Sequence, residues 1–307
     1  MPGMVGNSAS GCHNSARNVK HGTQSCYQEA MYSSVPLSAM CRVLIVVSLA
    51  LILRAFTACG VRSDEGGLRA KSTNASVAAT PTPLKFSGVA PILLFNGTGT
   101  SPGDVAAIES ILNRNHLKYS TASSSQLNQM DEAQLRGYRL VIVPGGNFID
   151  IGNSLTSSAT ASLRKAVDNG LNYLGICAGA FFAGNSGYNG LNLASGVRFR
   201  FYEAEERGIR KAAVPISVAE APTLEHYWED GPQFTGWGAV VGKYPDGTPA
   251  IVQGTFGSGF VILTGVHPEA PAGWRRGMTF STPASVDNDY AWTLIQAALN
   301  RTPLPHY

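Results

Sequence analysis

The stretch Leu174-Gly175-Ile176-Cys177-Ala178-Gly179-Ala180 places a cysteine between two glycines, at the junction of an apolar strand-like run and a small-residue helix-like run. In a strand–turn–helix elbow the turn residue takes a strained backbone conformation, and the flanking glycines let neighbouring segments approach closely. The Cys177 side chain would then stand at the N-terminus of the next helix, where the helix dipole favours a thiolate. The same pattern also fits a core cysteine, because free cysteines are among the most buried residues.

Apolar runs that alternate with helix-like segments surround this stretch. Residues 89–95, 139–143 and 172–176 are typical of buried strands, whereas Val105, Ile108, Ile111 and Leu112 follow a helical period. The helices are expected from residue 102, over 126–135, over 159–169 and over 287–299. This alternation predicts an α/β fold with a mainly parallel sheet flanked by helices, whose ligand site lies at the carboxyl ends of the strands.

A β-rich segment is inserted between about residues 195 and 262. Its strand-like runs are 197–202, 213–218, 237–241, 250–252 and 260–263. The polar and aromatic stretch 225–232 reads either as a surface loop, which the pattern favours, or as part of a pocket wall. His226 and its acidic neighbours lie along one segment without the converging spacing of metal ligands, so no metal site is predicted there.

The composition favours one sizeable folded domain and gives no sign of a nucleic-acid partner. Hydrophobic residues make up 44% of the 307 residues, enough for a large core, and the net charge of +3 comes without a basic block. Cysteines stand at 12, 26, 41, 59 and 177. Their odd number and irregular spacing fit neither a disulfide framework nor a zinc site, and no cofactor is predicted.

The N-terminal part is expected to be a targeting segment rather than part of the folded domain. Residues 1–39 are polar and lack a hydrophobic period, so they are interpreted as disordered or as a mis-assigned start. Residues 40–59 have the layout of a signal peptide, with a short positive region before an apolar run. The run is followed by Phe56-Thr57-Ala58-Cys59, which resembles a bacterial lipobox with Cys59 as the lipidated residue. An uncleaved anchor helix and an ordinary signal peptide are the alternatives.

A flexible linker is expected to follow this targeting segment. Residues 60–85 are rich in Ser, Thr and Ala and approach the domain through prolines, which is typical of a flexible linker. Residues 86–305 form the folded α/β domain. This division predicts an exported, membrane-anchored lipoprotein whose folded part lies outside the cytoplasm.

Three short motifs occur in order along the folded domain: Pro144-Gly145-Gly146, the cysteine elbow at 175–179, and His267-Pro268-Glu269. Their order and placement resemble the class I glutamine amidotransferase-like superfamily, which has a flavodoxin-like fold. Within it, segments 175–184 and 265–271 are similar to the biotin-protein ligase N-terminal-domain family. The resemblance covers about residues 88–300.

By this resemblance Cys177 would be a nucleophile, His267 its general base and then acid, and Glu269 the residue that orients the histidine. The implied reaction is acyl transfer from a small-molecule or peptide amide to Cys177, release of ammonia or an amine, and hydrolysis of the thioester. Backbone N–H groups of Gly146 and Ala178 would form the oxyanion hole.

The pocket is expected to include Gly145, Asn147 and Phe181. Glutamine-hydrolysing members commonly place a glutamine four residues after the nucleophile, where this chain has Phe181. The sequence therefore does not identify the substrate. Two other hypotheses remain. One is a non-catalytic module that keeps the fold and uses the cleft to bind a ligand or partner. The other is a cytoplasmic glutaminase subunit, in which residues 40–59 would stay uncleaved.

Overall fold

The computed structural model describes residues 90–195 and 198–307. The predictions for residues 1–39, 40–59 and 60–85, including the lipidation of Cys59, lie outside the described residues. Within the described part, no helix has both the length and the apolar character that crossing a bilayer requires.

The described strands are short and mostly buried. They are β1 Ile92–Phe95, β2 Tyr119–Ala122, β3 Leu140–Val143, β4 Asn172–Ile176, β5 Arg198–Phe201, β6 Lys211–Val218, β7 Leu224–Glu229, β8 Pro232–Thr235, β9 Ala239–Lys243, β10 Pro249–Phe256 and β11 Gly259–Thr264. The helices are α1 Pro102–Arg114, α2 Ser124–Leu127, α3 Glu132–Leu135, α4 Phe148–Asn153, α5 Ser157–Asp168, α6 Ala178–Phe182, α7 Glu203–Glu206 and α8 Ala284–Asn300.

One nine-stranded sheet organises the fold, with the strand order β2-β1-β3-β4-β11-β10-β9-β6-β7. The first five strands of this order are parallel, and their order is that of a flavodoxin-like sheet. The remaining four continue the sheet in antiparallel fashion, while β5 and β8 form a separate pair. The predicted α/β fold is therefore confirmed, and most strands of the inserted β-rich segment extend the same sheet.

Helices cover both faces of the parallel part, as β1 shows. Ile92 and Leu94 pack into one core cluster with residues of α1 and α8, whereas Leu93 and Phe95 pack into a second cluster with residues of α5. Alternate residues of a strand point to opposite faces, so a run buried on both sides has to be apolar throughout. The helical stripe predicted at Val105, Ile108, Ile111 and Leu112 is buried in α1.

The predicted helix over 126–135 is wrong, because two one-turn helices occupy this segment. The chain between α2 and α3 becomes extended at Asp131, with φ −83° and ψ 174°. Asp131 and Gln134 form a capping box that starts α3, as Ser123 and Gln126 do for α2. Each box satisfies the free N–H groups at the start of a helix. The segment therefore forms two separately capped helices, although its apolar spacing is that of one continuous helix.

The expectation of a surface loop at 225–232 is also wrong. Residues 224–229 form β7, which pairs with β6, and both His226 and Trp228 are fully buried. Tyr227 is buried as well, and its backbone bridges to His267. A hydrophobic pattern does not predict this burial, because the strand carries polar residues whose partners, such as Asp287 beside His226, are distant in sequence. The bridge between Tyr227 and His267 places β7 against the site.

Candidate active site

Cys177 occupies the turn between β4 and α6 in a backbone conformation that is unfavourable for a residue with a side chain. Its φ is 49° and its ψ is −104°. A β-carbon on Gly179 would lie 1.9 Å from the Val143 carbonyl oxygen, and one on Gly175 would lie 2.6 Å from the Gly179 carbonyl oxygen. The two glycines thus let β3, β4 and α6 meet closely, and the backbone strain is concentrated at the cysteine.

The Cys177 thiol is buried, with 6% of the residue exposed. Its Sγ lies 3.5 Å from the Glu229 carbonyl oxygen, to which it donates a weak hydrogen bond. Burial raises the pKa of the thiol, although the neighbouring His267 ring acts in the opposite direction. The resting thiol therefore holds its proton more firmly than an exposed cysteine does, and a nucleophilic role requires a base beside it.

His267 is the nearby base, and Glu269 lies beside it. The His267 Nδ1 atom is 2.9 Å from Glu269 Oε1, and both residues are buried. The backbone between them is a turn rather than an extended strand, because the Ala270 N–H donates to the His267 carbonyl oxygen over 3.1 Å. The His267 N–H donates to the Tyr227 carbonyl oxygen, which ties this turn to β7.

A second carboxylate, which the motifs do not indicate, also contacts His267. Asp104 Oδ1 lies 3.1 Å from His267 Nδ1, and Asp104 is buried. Asp104 stands in the first turn of α1, and its N–H donates to the side chain of Ser101, the N-cap residue. The sequence shows only an acidic residue three positions after a capping serine, a pattern that helix capping already explains.

The two carboxyl groups differ in their electrostatics. Burial raises the pKa of Glu269, against the opposing effect of His267. Burial also acts to raise the pKa of Asp104, but its interactions with His267 and Ser101 prevail and lower it. Although burial alone would lower the pKa of His267, its interactions with Cys177, Glu269 and Asp104 raise it. The ring is thus made a stronger base by the groups around it.

Gly145 and Gly146 bring the loop after β3 against this cluster. A β-carbon on Gly145 would lie 2.2 Å from Asp104 Oδ1 and 2.7 Å from His267 Cε1. Gly146 has a φ of 141°, and a β-carbon there would lie 2.1 Å from the Gly99 carbonyl oxygen. Among the described residues, no hydrogen bond uses the N–H groups of Gly146 or Ala178. These groups stay predicted oxyanion donors.

Asn147 and Phe181, the other predicted pocket residues, have structural partners. The Asn147 side-chain oxygen accepts hydrogen bonds from the N–H groups of Ile149 and Asp150 and so caps α4. Phe181 stacks on Phe148 with ring centroids 5.0 Å apart and is buried in an aromatic cluster. Their part in binding a substrate stays a prediction.

Two aromatic residues flank the His267 ring. Tyr227 belongs to the stretch 225–232, for which a pocket wall was the alternative interpretation, whereas sequence reasoning did not assign Trp274 to the site. Tyr227 and Trp274 have ring centroids 5.8 Å and 6.0 Å from that ring, respectively. The Tyr227 hydroxyl donates to the Glu229 carboxylate at the same end of β7. No local sequence pattern identifies Trp274, because the segment after Glu269 meets β7 and His267 only in the fold.

The ligand atoms of Asp104, His267 and Glu269 lie within 4.8 Å of one another, the spacing of a possible metal site. Both carboxylates, however, approach the same Nδ1 atom at hydrogen-bond or ion-pair distance. This geometry is that of a histidine held by carboxylates, and its Nε2 atom has no hydrogen-bond partner within the described residues.

The fold and this arrangement define a class, a flavodoxin-like α/β protein with a cysteine elbow. Residues 90–210 match the family model described as "Biotin-protein ligase, N terminal". The resemblance predicted from the motifs is therefore confirmed over these residues, which include Cys177 and Asp104 but neither His267 nor Glu269.

Known proteins show the same similarity at low identity. A biotin–protein ligase of Schizosaccharomyces pombe is 25% identical over 167 residues, with 43% of this chain and 26% of that protein covered. The chain thus spans about a quarter of its relative's length. A solved glutamine amidotransferase has a TM-score of 0.46 and 20% identity over 58% of this chain and 90% of that one. A protein of Thermoplasma acidophilum, provisionally described as part of a GMP synthase, has a TM-score of 0.46 and 14% identity over 70% of this chain and 98% of that one.

Proposed function

We propose that the protein is a cysteine-dependent amide hydrolase of the amidotransferase-like class, in which Cys177 attacks the amide and His267 transfers the protons. The observation that carries this proposal is the strained backbone of Cys177 beside a buried histidine that two carboxylates hold by its Nδ1 atom. A core cysteine has no need of either feature, and strained residues cluster at functional sites. The match of residues 90–210 to the biotin-protein ligase N-terminal model agrees with the family resemblance from which these roles were expected.

The proposed reaction has two balanced steps. His267 Nε2 takes the thiol proton while Cys177 Sγ bonds to the carbonyl carbon, and the N–H groups of Gly146 and Ala178 stabilise the oxyanion. The C–N bond then breaks as His267 gives its proton to the leaving nitrogen. In the second step water attacks the thioester, His267 accepts its proton and returns it to Sγ, and a carboxylic acid leaves.

The test is a screen of primary amides, secondary amides and short peptides against the full chain. We expect release of ammonia or an amine together with a thioester adduct on the peptide that contains Cys177, detected by mass spectrometry. Cys177→Ala should remove both signals, and His267→Gln should slow turnover by roughly 10²–10⁴-fold, the usual contribution of a general base. Equal turnover by the wild type and Cys177→Ala would contradict the proposal, provided that both variants unfold at similar temperatures.

A non-catalytic binding module is the second candidate, and the buried, proton-retaining thiol favours it. In that case the cleft would hold a ligand without covalent chemistry. Binding of an amide to the wild type and to Cys177→Ala with equal affinity, and with no thioester adduct, would support this candidate over the first.

We further propose that the chain acts outside the cytoplasm as a lipoprotein anchored through Cys59. The apolar run and the lipobox-like Phe56-Thr57-Ala58-Cys59 support this location. In a bacterial host that carries out lipoprotein processing, radiolabelled fatty acid should appear on the wild type and be lost in Cys59→Ala. Labelling absent from the wild type would refute anchoring through Cys59.

A further inference from the structure

We infer that Asp104 is a second positioning residue for His267, which supplies the negative charge that stabilises the imidazolium, while Glu269 fixes the ring by a hydrogen bond. This inference rests on the proposed function of Cys177 and His267. It adds a carboxylate from α1 that the Cys-His-Glu motif set does not contain.

The two carboxylates contact His267 in different ways. An imidazole Nδ1 carries at most one hydrogen, and Glu269 Oε1 lies 2.9 Å from it in hydrogen-bond contact. Asp104 Oδ1 is only 3.1 Å from the same nitrogen, yet it is buried and has no hydrogen-bond partner within the described residues. A buried carboxylate needs a compensating positive charge. Within the described part of the chain, His267 is the only residue with which Asp104 forms an ion pair.

The surroundings of the carboxylates indicate which one keeps its charge. Two carboxyl groups that share a site disfavour double ionisation, so the pair is expected to retain a proton. Asp104 lies in the first turn of the thirteen-residue helix α1, where the helix dipole favours an anion. Glu269 lies in a turn after the apolar strand β11, its side chain is fully buried and its Oε2 has no hydrogen-bond partner within the described residues. These surroundings favour a charged Asp104 and a neutral Glu269.

The pKa directions agree with this division. Burial raises the pKa of Glu269, whereas the interactions of Asp104 with His267 and Ser101 outweigh its burial and lower its pKa. The other titratable groups around the His267 ring are the Cys177 thiol, from the end of β4, and the Tyr227 hydroxyl, from β7. Neither supplies a fixed negative charge at neutral pH, since burial raises the pKa of both. Asp104 and Glu269 are thus the two carboxyl neighbours that can counter a positive charge on the ring, and the lowered pKa of Asp104 favours Asp104 as the one that stays ionised.

The experiment is an NMR titration of His267 in the full chain, with the resonance assigned by its loss in His267→Gln. We expect Asp104→Asn to lower the His267 pKa by ~1–3 units, the size of a close opposite-charge effect. Glu269→Gln should lower it by less, because a neutral amide oxygen replaces a neutral acid as acceptor. An unchanged His267 pKa in Asp104→Asn, or a larger decrease in Glu269→Gln, would overturn the inference.

Two further variants separate charge from folding. Asp104→Glu retains the charge and should keep the His267 pKa closer to the wild-type value than Asp104→Asn does. Asp289→Asn removes an exposed carboxylate on α8 and should leave that pKa unchanged. Because the titration needs no substrate, a negative amide screen would refute the proposed function without altering this readout, and the two failures are distinguishable.

Discussion

At the scale of single residues, the backbone of Cys177 makes a prediction that is independent of its chemistry. A φ of 49° with a ψ of −104° suits glycine far better than any residue with a β-carbon. We therefore expect Cys177→Gly to be more stable than Cys177→Ala by about 1 kcal/mol, although glycine usually destabilises relative to alanine. Chemical denaturation of the two variants measures this difference. If the glycine variant is the less stable one, the turn is not strained as described.

Gly145 makes a second prediction at this scale, because it lets the loop after β3 approach Asp104 and His267 closely. A β-carbon there would collide with Asp104 Oδ1 and His267 Cε1. Gly145→Ala is expected to displace the histidine and to lower the rate of Cys177 alkylation by about tenfold or more, equivalent to a pKa change of one unit or more. Gly187→Ala is the matched control, because a β-carbon at Gly187 meets nothing within 4 Å. Equal alkylation rates in both variants would show that the loop can move away from the site.

At the scale of secondary-structure elements, the start of α3 as a helix separate from α2 depends on the N-cap residue Asp131. Its side chain accepts the Gln134 N–H over 2.8 Å. Asp131→Ala should lower the free energy of unfolding by ~1 kcal/mol, as the loss of a helix cap usually does. Gln129→Ala, an exposed neighbouring change, should have a smaller effect in the same denaturation experiment. A negligible change for Asp131→Ala would mean that the cap does not hold this segment.

The elements that the sequence predicts are those defined by local pattern. The apolar run of β4 and the glycines around Cys177 are sufficient to indicate the elbow, because strand burial and close backbone approach leave a local signal. The order of the motifs likewise indicates that His267 and Glu269 belong with Cys177. By contrast, β7 carries a polar surface pattern although it is buried. It pairs with the preceding strand β6, but its contacts with α8 and with His267 come from segments distant in sequence, so its burial follows from tertiary packing.

Asp104 shows the same limit at the site itself. In the sequence it is an ordinary acidic residue near a helix start, a position that helix capping already explains. Its contact with His267 depends on β1 and β11 ending at the same edge of the sheet with Gly145 between them. Neither spacing nor composition encodes that contact.

At the scale of the whole molecule, the raised pKa of Glu269 links stability to pH. A carboxyl group with a raised pKa in the folded state contributes stability that is present below its unfolded value, about 4.3, and is lost as the pH rises through the folded value. Glu269→Gln cannot titrate. Relative to the wild type, the melting temperature of this variant should therefore increase as the pH is raised from about 4 to 8. A difference that stays constant over this range would contradict a perturbed Glu269.

The central claim is that His267 activates Cys177. Its most direct test is the rate of iodoacetamide alkylation of Cys177 as a function of pH, followed on the Cys177 peptide by mass spectrometry in the wild type and in His267→Ala. Burial raises the pKa of the thiol and His267 lowers it, so the variant should titrate at higher pH. We expect alkylation at pH 7 to be about tenfold slower or more in His267→Ala, since the thiolate is the reactive form. Superimposable pH profiles for the two proteins would contradict the account.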